Sequence, residues 1–216
     1  MTRRAASAVA VTALLGAITP AAHAATRSPS CRSAVKAPGT KIIARDRLAV
    51  VFLGRRQTFF RGCAYGHPVR KLRAICCENE KVRLGGRFAA YTYTGSAIGD
   101  ETSKVGVYDL RSGRRERFTK LQPNSEGGDP AEIETASFVE DFAVNSRGSL
   151  VWLIDQTDAD GNPTGQFELR AADGPARTER IVDAGKLGRR SVSLSSNGKT
   201  IRYRKDGMDQ TAPLAR

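Results

Sequence analysis

The chain has 216 residues, with 35 Lys and Arg against 22 Asp and Glu, which gives a formal net charge of +13. This length argues for one domain rather than several. Hydrophobic residues make up 40% of the chain and charges of both signs are interspersed, so a disordered or collagen-like chain is excluded. No apolar run reaches the roughly 18 residues that a membrane-spanning helix needs, so we expect no membrane span.

Residues 1–24 have the pattern of an export signal. Arg3 and Arg4 form a positively charged start, Ala5–Ile18 is a short apolar stretch, and Ala22–Ala24 is an A-x-A cleavage pattern. The apolar stretch is too short to cross the roughly 30 Å hydrocarbon core of a bilayer. We therefore expect a secreted or periplasmic protein whose fold begins after this segment.

The positive charge is concentrated near the start of the expected fold. Residues 31–90 contain 14 basic and 3 acidic residues, whereas residues 91–216 contain 18 basic and 19 acidic ones. This asymmetry predicts a patch for an anionic partner outside the cytoplasm, such as a phospholipid surface or an acidic cell-envelope polymer. The alternative is an Arg-rich set of solvated strand faces without a ligand. Nucleic acid is the least favoured partner because of the compartment.

The four cysteines, Cys31, Cys63, Cys76 and Cys77, form an even set, which favours two disulfides in an exported protein. On an extended segment, Cys76 and Cys77 would point to opposite faces, so a bridge between these neighbours is the least favoured pairing. We expect one of them to pair with Cys31 and the other with Cys63, and the sequence leaves the choice open. The CxxC and Cys-His spacings typical of zinc sites are missing, so no metal site is expected.

Residues 25–40 are rich in Ser, Ala and Pro and are predicted to be a linker held by Cys31, which leaves residues 41–216 as a single domain. Short β-branched or aromatic runs then alternate with turns, as is typical of an antiparallel β protein. The predicted strands are Ile42–Ile43, Leu48–Leu53, Thr58–Cys63, Val69–Ile75, Arg87–Thr94, Lys104–Leu110, Arg114–Lys120, Ser137–Val144, Leu150–Asp155, Gln166–Ala171, Thr178–Val182, Ser191–Leu194, Thr200–Lys205 and Met208–Leu214.

One short pattern occurs four times in the chain. It consists of an apolar residue, a polar turn that usually contains Gly, and an alternating strand that carries an aromatic residue. The copies span residues 43–52, 82–91, 144–152 and 194–203, and a second hairpin pattern recurs at 107–118 and 167–178. Gly supplies the positive φ that a tight turn needs, and short sheets stacked about an axis bury both faces of each inner sheet.

The best-matched copies, Ser146–Trp152 and Ser196–Tyr203, resemble the WD-repeat-like blades of Tol-associated periplasmic β-propellers. The resemblance covers about residues 41–212. It implies an all-β fold, a small β-propeller-like array of about four antiparallel blades. The alternative is a β-sandwich or a barrel built from the same hairpins.

The repeats also predict equivalent positions for two aromatic residues and a way to close the array. Trp152 and Tyr203 follow Gly148 and Gly198 by four and five residues, so they should be equivalent if a one-residue bulge absorbs the offset. Ring closure in propellers often joins both ends of the chain in one blade. We therefore expect residues 36–44 to pair within the C-terminal unit, which would otherwise leave an open sheet edge.

The sequence contains no complete catalytic or metal-binding motif, so we expect no catalytic residues and no cofactor. His67 is expected to be a surface histidine in a hairpin turn. The segment Asp155–Asn162 resembles an incomplete calcium loop, and the ordinary interpretation is a long hairpin loop. A cluster of carboxylates is predicted to belong to a solvated loop. Its members are Glu126, Asp129, Glu132, Glu134, Glu140 and Asp141.

These observations favour an exported non-enzymatic binding module for a protein or a cell-envelope ligand. One alternative is an envelope hydrolase or lyase that uses the clustered carboxylates. Carboxylates that converge in a cleft and have a raised pKa would favour this alternative. Another alternative is a structural envelope protein whose basic third rests on anionic surfaces. Salt-sensitive binding to envelopes would favour this alternative.

Overall fold

A computed structural model describes residues 30–55, 59–74, 81–97, 100–118, 138–158, 162–174 and 179–214. Helix α1 spans Cys31–Val35, and every other regular element in these residues is a β-strand. The first sheet contains β1 (Lys41–Arg45), β2 (Ala49–Leu53), β3 (Phe59–Ala64) and β4 (Arg70–Ala74). The second contains β5 (Val82–Gly85), β6 (Phe88–Ala97), β7 (Asp100–Asp109) and β8 (Arg114–Phe118). The third contains β9 (Phe138–Val144), β10 (Leu150–Thr157), β11 (Pro163–Ala172) and β12 (Glu179–Gly185). The fourth contains β13 (Ser193–Leu194), β14 (Thr200–Lys205) and β15 (Met208–Pro213).

Each sheet is an antiparallel meander whose strands follow one another in chain order. The four copies of the sequence pattern coincide with the hairpin between the first and second strands of the four sheets, so the prediction of four units is confirmed. The pattern at 107–118 is likewise the hairpin between β7 and β8. Two elements were not predicted as such: the short strand β5 and the helix α1.

The first hairpins of the first and third sheets close through local turn chemistry. The Asp46 carboxylate accepts the backbone N–H groups of Leu48 and Ala49, each at 2.7 Å. The Asn145 side-chain oxygen does the same for Arg147 and Ser149, at 2.9 and 3.0 Å. Such Asx-type bonds fix a tight turn without help from distant residues. The turn of each of these two hairpins is therefore specified by its own segment of sequence.

The sheets stack face to face in chain order, and an apolar layer fills each interface. The three layers pack Val51 and Leu72 against Tyr91 and Leu110, Phe88 and Val107 against Phe142 and Trp152, and Leu153 and Leu169 against Ile201 and Tyr203. Among the described residues, no apolar cluster joins the fourth sheet to the first. The fold is thus an all-β, propeller-like array of four antiparallel blades.

The two outer faces of the array are finished differently. On the first sheet, Val50 and Phe52 turn away from the second sheet and pack against Cys31 of α1. On the fourth sheet, Ile201 and Tyr203 are buried against the third sheet while Arg202 and Arg204 are exposed. A helix covers one end, and polar side chains replace a covering layer at the other, as in the terminal units of repeat proteins.

The cysteine pairing that we expected from the sequence is wrong for the described residues. Cys31 is bonded to Cys63, with their Cα atoms 5.7 Å apart. The physical reason is that Cys63 points to the free face of the first sheet, where α1 places Cys31. Cys76 and Cys77 lie outside the described residues, and with Cys31 and Cys63 paired, a second disulfide within the chain would have to join these two neighbours, the pairing least favoured from the sequence.

The expected closure of the array by residues 36–44 is also wrong. Strand β1 pairs with β2, in a register that brings Arg45 opposite Val50. The C-terminal sheet contains β13, β14 and β15 alone among the described strands. The Asp46 turn explains this result, because it brings β1 back onto its immediate successor at little loop-closure cost.

Candidate functional site

Helix α1 is a short element held at its N-terminal end by specific contacts. Ser30 caps its first turn, because the side-chain oxygen accepts the N–H of Ser33 at 3.2 Å. Ser30 also forms an isolated antiparallel bridge with Pro68 in the turn after β3. Together with the Cys31–Cys63 disulfide, these contacts fix α1 against the first sheet. The segment predicted to be a linker therefore contains an anchored helix.

The turn between β3 and β4 forms the opposite wall of a groove beside α1. Gly66 has a φ of +82°, and the N–H of His67 donates to the carbonyl of Ala64 at 3.0 Å, which closes the turn. The N–H of Tyr65 donates to the carbonyl of Leu48 at 2.9 Å, so this turn is tied to the first hairpin of the same sheet. His67 lies in a hairpin turn, as the sequence predicted.

Between these walls lies a groove with a volume of about 790 Å³, which we call the α1 groove. The side chains that line it and carry its chemistry are Arg32, Lys36, Arg45, Tyr65, His67 and Pro68. This size is within the range of ligand-binding clefts, roughly 300 to 1,000 Å³. No Asp or Glu is among the described residues that line it. The α1 groove is therefore a cationic cleft with one exposed aromatic ring.

The three cations of the α1 groove come from two elements. Arg32 and Lys36 are four residues apart around the end of α1, and Arg45 ends β1; all three are exposed. Within the described part of the chain, none of the three forms an ion pair. Like charges held close together repel one another, so an anion bound among them relieves that repulsion.

Sequence reasoning found the basic region but missed the groove. The sequence shows the excess of basic residues between 31 and 90, whereas its Ser, Ala and Pro content predicts a linker where the structure has helix α1 with Arg32 and, directly after it, Lys36. The missed signal was Ser30, a favoured N-cap residue, directly before a run without Gly or Pro up to Ala37. The position of Arg45 beside α1 depends on the disulfide and was not visible in the sequence.

The described carboxylates of the acidic cluster do not line the α1 groove. Asp141 is buried, and its carboxylate accepts the N–H groups of Phe142 at 3.0 Å and Val192 at 3.1 Å. It also lies 3.9 Å from the Arg83 guanidinium. Asp141 thus links the third sheet to its neighbours on both sides. The cluster members Glu126, Asp129, Glu132 and Glu134 lie outside the described residues.

The segment that resembles a calcium loop closes the hairpin between β10 and β11. The Asp158 carboxylate accepts the N–H of Asn162 at 2.8 Å, and residues 159–161 lie outside the described residues. Asp155 is buried and 3.1 Å from a guanidinium nitrogen of Arg189. Burial raises the pKa of the Asp155 carboxyl; Arg189 opposes this rise, and the charge of Glu140 adds to it. In the described part of the chain, no three metal-ligating side chains cluster.

The comparisons with known proteins found similarity to solved structures and to no other class of known protein. No model of a known protein family matches the chain, and no curated protein matches it. Hydrazine synthase of Kuenenia stuttgartiensis is 10% identical, with a TM-score of 0.47 over 80% of this chain and 51% of that one. TolB of Acinetobacter baumannii is 14% identical, with a TM-score of 0.45 over 82% of this chain and 41% of that one. The dihydro-heme d1 dehydrogenase NirN, solved in complex with DHE, is 15% identical, with a TM-score of 0.44 over 80% and 34%. The chain thus spans about half, or less, of the length of these proteins.

Within the described residues, no helix has the length and hydropathy needed to cross a membrane.

Proposed function

We propose that this chain is an exported, non-enzymatic binding module that recognises an anionic ligand of the cell envelope through the α1 groove. The observation that carries this proposal is the charge of the groove. Arg32, Lys36 and Arg45 converge on a cleft that no described Asp or Glu lines. Guanidinium and ammonium groups placed in this way attract carboxylate, phosphate or sulfate groups.

Two further features support an extracytoplasmic role. The Cys31–Cys63 disulfide is the kind of bond that persists in oxidising compartments. The pattern of residues 1–24 is that of an export signal. The anions available in such a compartment are envelope polymers and lipid head groups, and the proposal takes an acidic envelope polymer as the ligand.

A binding role is favoured over a catalytic one by the chemistry around the groove. Its imidazole, His67, is half-buried in a hairpin turn, and no carboxylate is among the described residues that line the cleft to orient such a base. Asp141 accepts backbone N–H groups, and Asp155, whose pKa is raised by burial, is paired with Arg189; both lie outside the lining of the groove. Tyr65, exposed beside the cations, offers a ring on which a sugar or other flat group can pack.

The test is co-sedimentation of the full mature chain with isolated cell envelopes over a series of salt concentrations. We expect binding that weakens steeply with salt, and a loss of at least tenfold in affinity for the triple variant Arg32→Ala, Lys36→Ala, Arg45→Ala. The matched control is Arg147→Ala, Lys186→Ala, Lys199→Ala, which removes the same charge from exposed positions on other sheets. We expect the control to lose less than threefold.

Two companion measurements identify the source of the anion. Envelopes stripped of lipid should retain the binding, whereas vesicles of phosphatidylglycerol should not compete for it, if the ligand is an acidic polymer. Equal losses for the two triple variants would show that net charge alone drives binding, and the assignment to the α1 groove would then be wrong. Turnover of the bound polymer would overturn the non-enzymatic assignment.

A further inference from the structure

The outer face of the fourth sheet is a second cationic surface, at the opposite end of the array from the α1 groove. Strand β14 alternates strictly: Ile201 and Tyr203 are buried, whereas Arg202 and Arg204 are exposed. A groove of about 560 Å³ runs over this face, and its lining includes Arg189 and Arg190 from the loop before β13. Four guanidinium groups therefore stand around one open sheet surface.

Strand register places two hydroxyl groups beside one of these guanidinium groups. Ser193 of β13 and Thr211 of β15 are both directly opposite Arg202 of β14. Directly opposite residues have Cβ atoms roughly 4.5 to 5.5 Å apart and share one face of the sheet. Both hydroxyl-bearing residues are exposed and line the groove. The result is a row of three residues with donor side chains, in which Arg202 lies between Ser193 and Thr211; we call this row and Arg190 the Arg202 face.

The loop before β13 is fastened to β14, and Arg190 of this loop lines the same groove as the row. The N–H of Gly188 donates to the carbonyl of Arg204 at 2.9 Å. The Ser191 hydroxyl donates to the carbonyl of Gly188 at 2.6 Å and accepts the N–H of Arg204 at 3.1 Å. Arg190 itself has a φ of +56°, a backbone conformation that a residue with a side chain rarely adopts. The loop therefore retains an unfavourable backbone conformation at the residue that faces the groove.

The four guanidinium groups are not equivalent. Arg204 pairs with Asp209 at 3.0 Å, and Arg189 pairs with Asp155 at 3.1 Å. Arg190 and Arg202 form no ion pair within the described part of the chain. The positive charges of Arg190 and Arg202 therefore have no direct partner there, and Asp209, the carboxylate that lines the same groove, is paired with Arg204.

We propose that the Arg202 face binds the phosphate group of a phosphorylated ligand. Arg202 is directly opposite both Ser193 and Thr211, so one phosphate can accept from the Arg202 guanidinium and from a neighbouring hydroxyl group, and Arg190 of the same groove supplies a second positive charge. A phosphate has more acceptor oxygens and more negative charge than a carboxylate, so it can use a guanidinium, a hydroxyl group and a second arginine together, whereas a planar carboxylate is satisfied by one guanidinium alone. This site shares no residue with the α1 groove and does not depend on the function proposed for it.

The experiment is a titration of the full mature chain with inorganic phosphate at low ionic strength, followed by calorimetry and by ³¹P line widths. Sulfate and acetate at equal ionic strength are the comparison anions. The double variant Ser193→Ala, Thr211→Ala removes no charge, and we expect it to weaken phosphate binding at least fivefold. We expect Arg202→Ala to weaken it at least tenfold.

Two further variants test the contribution of the Arg190 side chain and control for the loss of one positive charge. Arg190→Gly removes the side chain and allows the left-handed backbone to persist, and we expect it to weaken phosphate binding about threefold to tenfold. Arg147→Ala removes the same charge from an exposed turn of the third sheet, and we expect a change below twofold. The titrations are repeated in the triple variant of the α1 groove, where the phosphate binding that remains should still be weakened by Arg202→Ala, which separates this test from that of the proposed function.

The proposal is overturned if phosphate does not bind saturably, or if acetate binds as tightly as phosphate. It is also overturned if Arg202→Ala and Arg147→Ala have equal effects, because the attraction is then one of net charge. If Arg202→Ala does not fold, the double hydroxyl variant still decides, since a wild-type affinity there contradicts the row of donors. Tighter binding of sulfate than of phosphate would overturn the assignment to phosphorylated ligands.

Discussion

Trp152 and Tyr203 occupy the same position in two successive sheets. Leu150 pairs with Val144 across the first hairpin of the third sheet, and Ile201 pairs with Leu194 in the fourth. Each aromatic residue follows two positions later on the same strand, and each packs toward the preceding sheet. The turn in the fourth sheet is one residue longer, which accounts for the different distances from Gly148 and Gly198.

The same side of the second strand carries an aromatic residue in the other two sheets. Tyr91 on β6 packs toward the first sheet, and Phe52 on β2 packs against Cys31 of α1. Helix α1 therefore occupies the place that a preceding sheet would take. This replacement explains how the array begins without exposing an apolar face.

The first prediction concerns Trp152, which is fully buried between the second and third sheets. Trp152→Ala should lower the free energy of unfolding by about 3 to 5 kcal/mol, because it empties a large buried site. Trp152→Phe should cost much less, since the indole N–H has no hydrogen-bond partner in the described part of the chain. Denaturant melts measure both, with Met208→Ala, exposed on the fourth sheet, as control. A loss below 1 kcal/mol for Trp152→Ala would contradict the packing of this layer.

The sheets could be predicted from the sequence because their signals are local. The Asp46 and Asn145 turns are closed by bonds to residues two to four positions later, and the alternation of Ile201 to Arg204 is visible within one strand. Short windows contain all of this information. The order of the strands within each sheet could also be predicted, because each strand pairs with its neighbour in the chain.

The two cationic sites could not be predicted because they depend on distant partners. Helix α1 has five residues, too few to show a helical period, and its position is set by the meeting of Cys31 with Cys63. The exposure of Arg202 depends on whether another sheet covers β14, which is a property of the whole array. The position of Arg190 depends on bonds between its loop and Arg204.

The second prediction concerns the hydrogen bonds that join Asp183 to the fourth sheet. The Tyr203 hydroxyl donates to this carboxylate at 2.8 Å, and the Lys205 ammonium donates to it at 2.6 Å. Partial burial favours the neutral acid, but the bonds from Lys205 and Tyr203 outweigh it and lower the pKa of Asp183. Tyr203→Phe should therefore cost about 1 kcal/mol at neutral pH, as measured by denaturant melts.

The pH dependence of this contact has a definite sign. Folding lowers the pKa of Asp183. The contribution of this carboxylate to the free energy of unfolding is therefore complete above the ordinary pKa of about 4, and it is lost as the pH falls through the lower pKa of the folded state. Burial, together with the negative charge of Asp183, raises the pKa of Tyr203 to about 12. The contribution of the Tyr203 hydroxyl to stability is complete below about pH 10 and is lost as the pH rises toward 12. Stability differences between the unmodified chain and Asp183→Asn that persist unchanged below pH 3 would contradict this account.

The third prediction concerns Asn145, whose side chain links the third and fourth sheets. Its oxygen accepts the turn N–H groups of Arg147 and Ser149, and its amide nitrogen donates to the carbonyl of Gly198 at 3.0 Å. Asn145→Ala should cost about 2 kcal/mol or more, because buried backbone groups lose their partners. Asn197→Ala, at the exposed turn of the fourth sheet, should cost less than about 1 kcal/mol. Equal costs in denaturant melts would show that Asn145 acts within its own turn alone.

The last prediction joins the disulfide to the α1 groove. The Cys31–Cys63 bond closes a loop with a sequence separation of 32, so the double variant Cys31→Ala, Cys63→Ala should lose about 3 to 4 kcal/mol of stability on the chain-entropy account. Because α1 carries Arg32 and Lys36, the same variant should also lose binding to cell envelopes at temperatures where the sheets remain folded. Denaturant melts measure the first effect and co-sedimentation the second. Unchanged envelope binding in a folded double variant would show that α1 does not need the disulfide to form its wall of the groove.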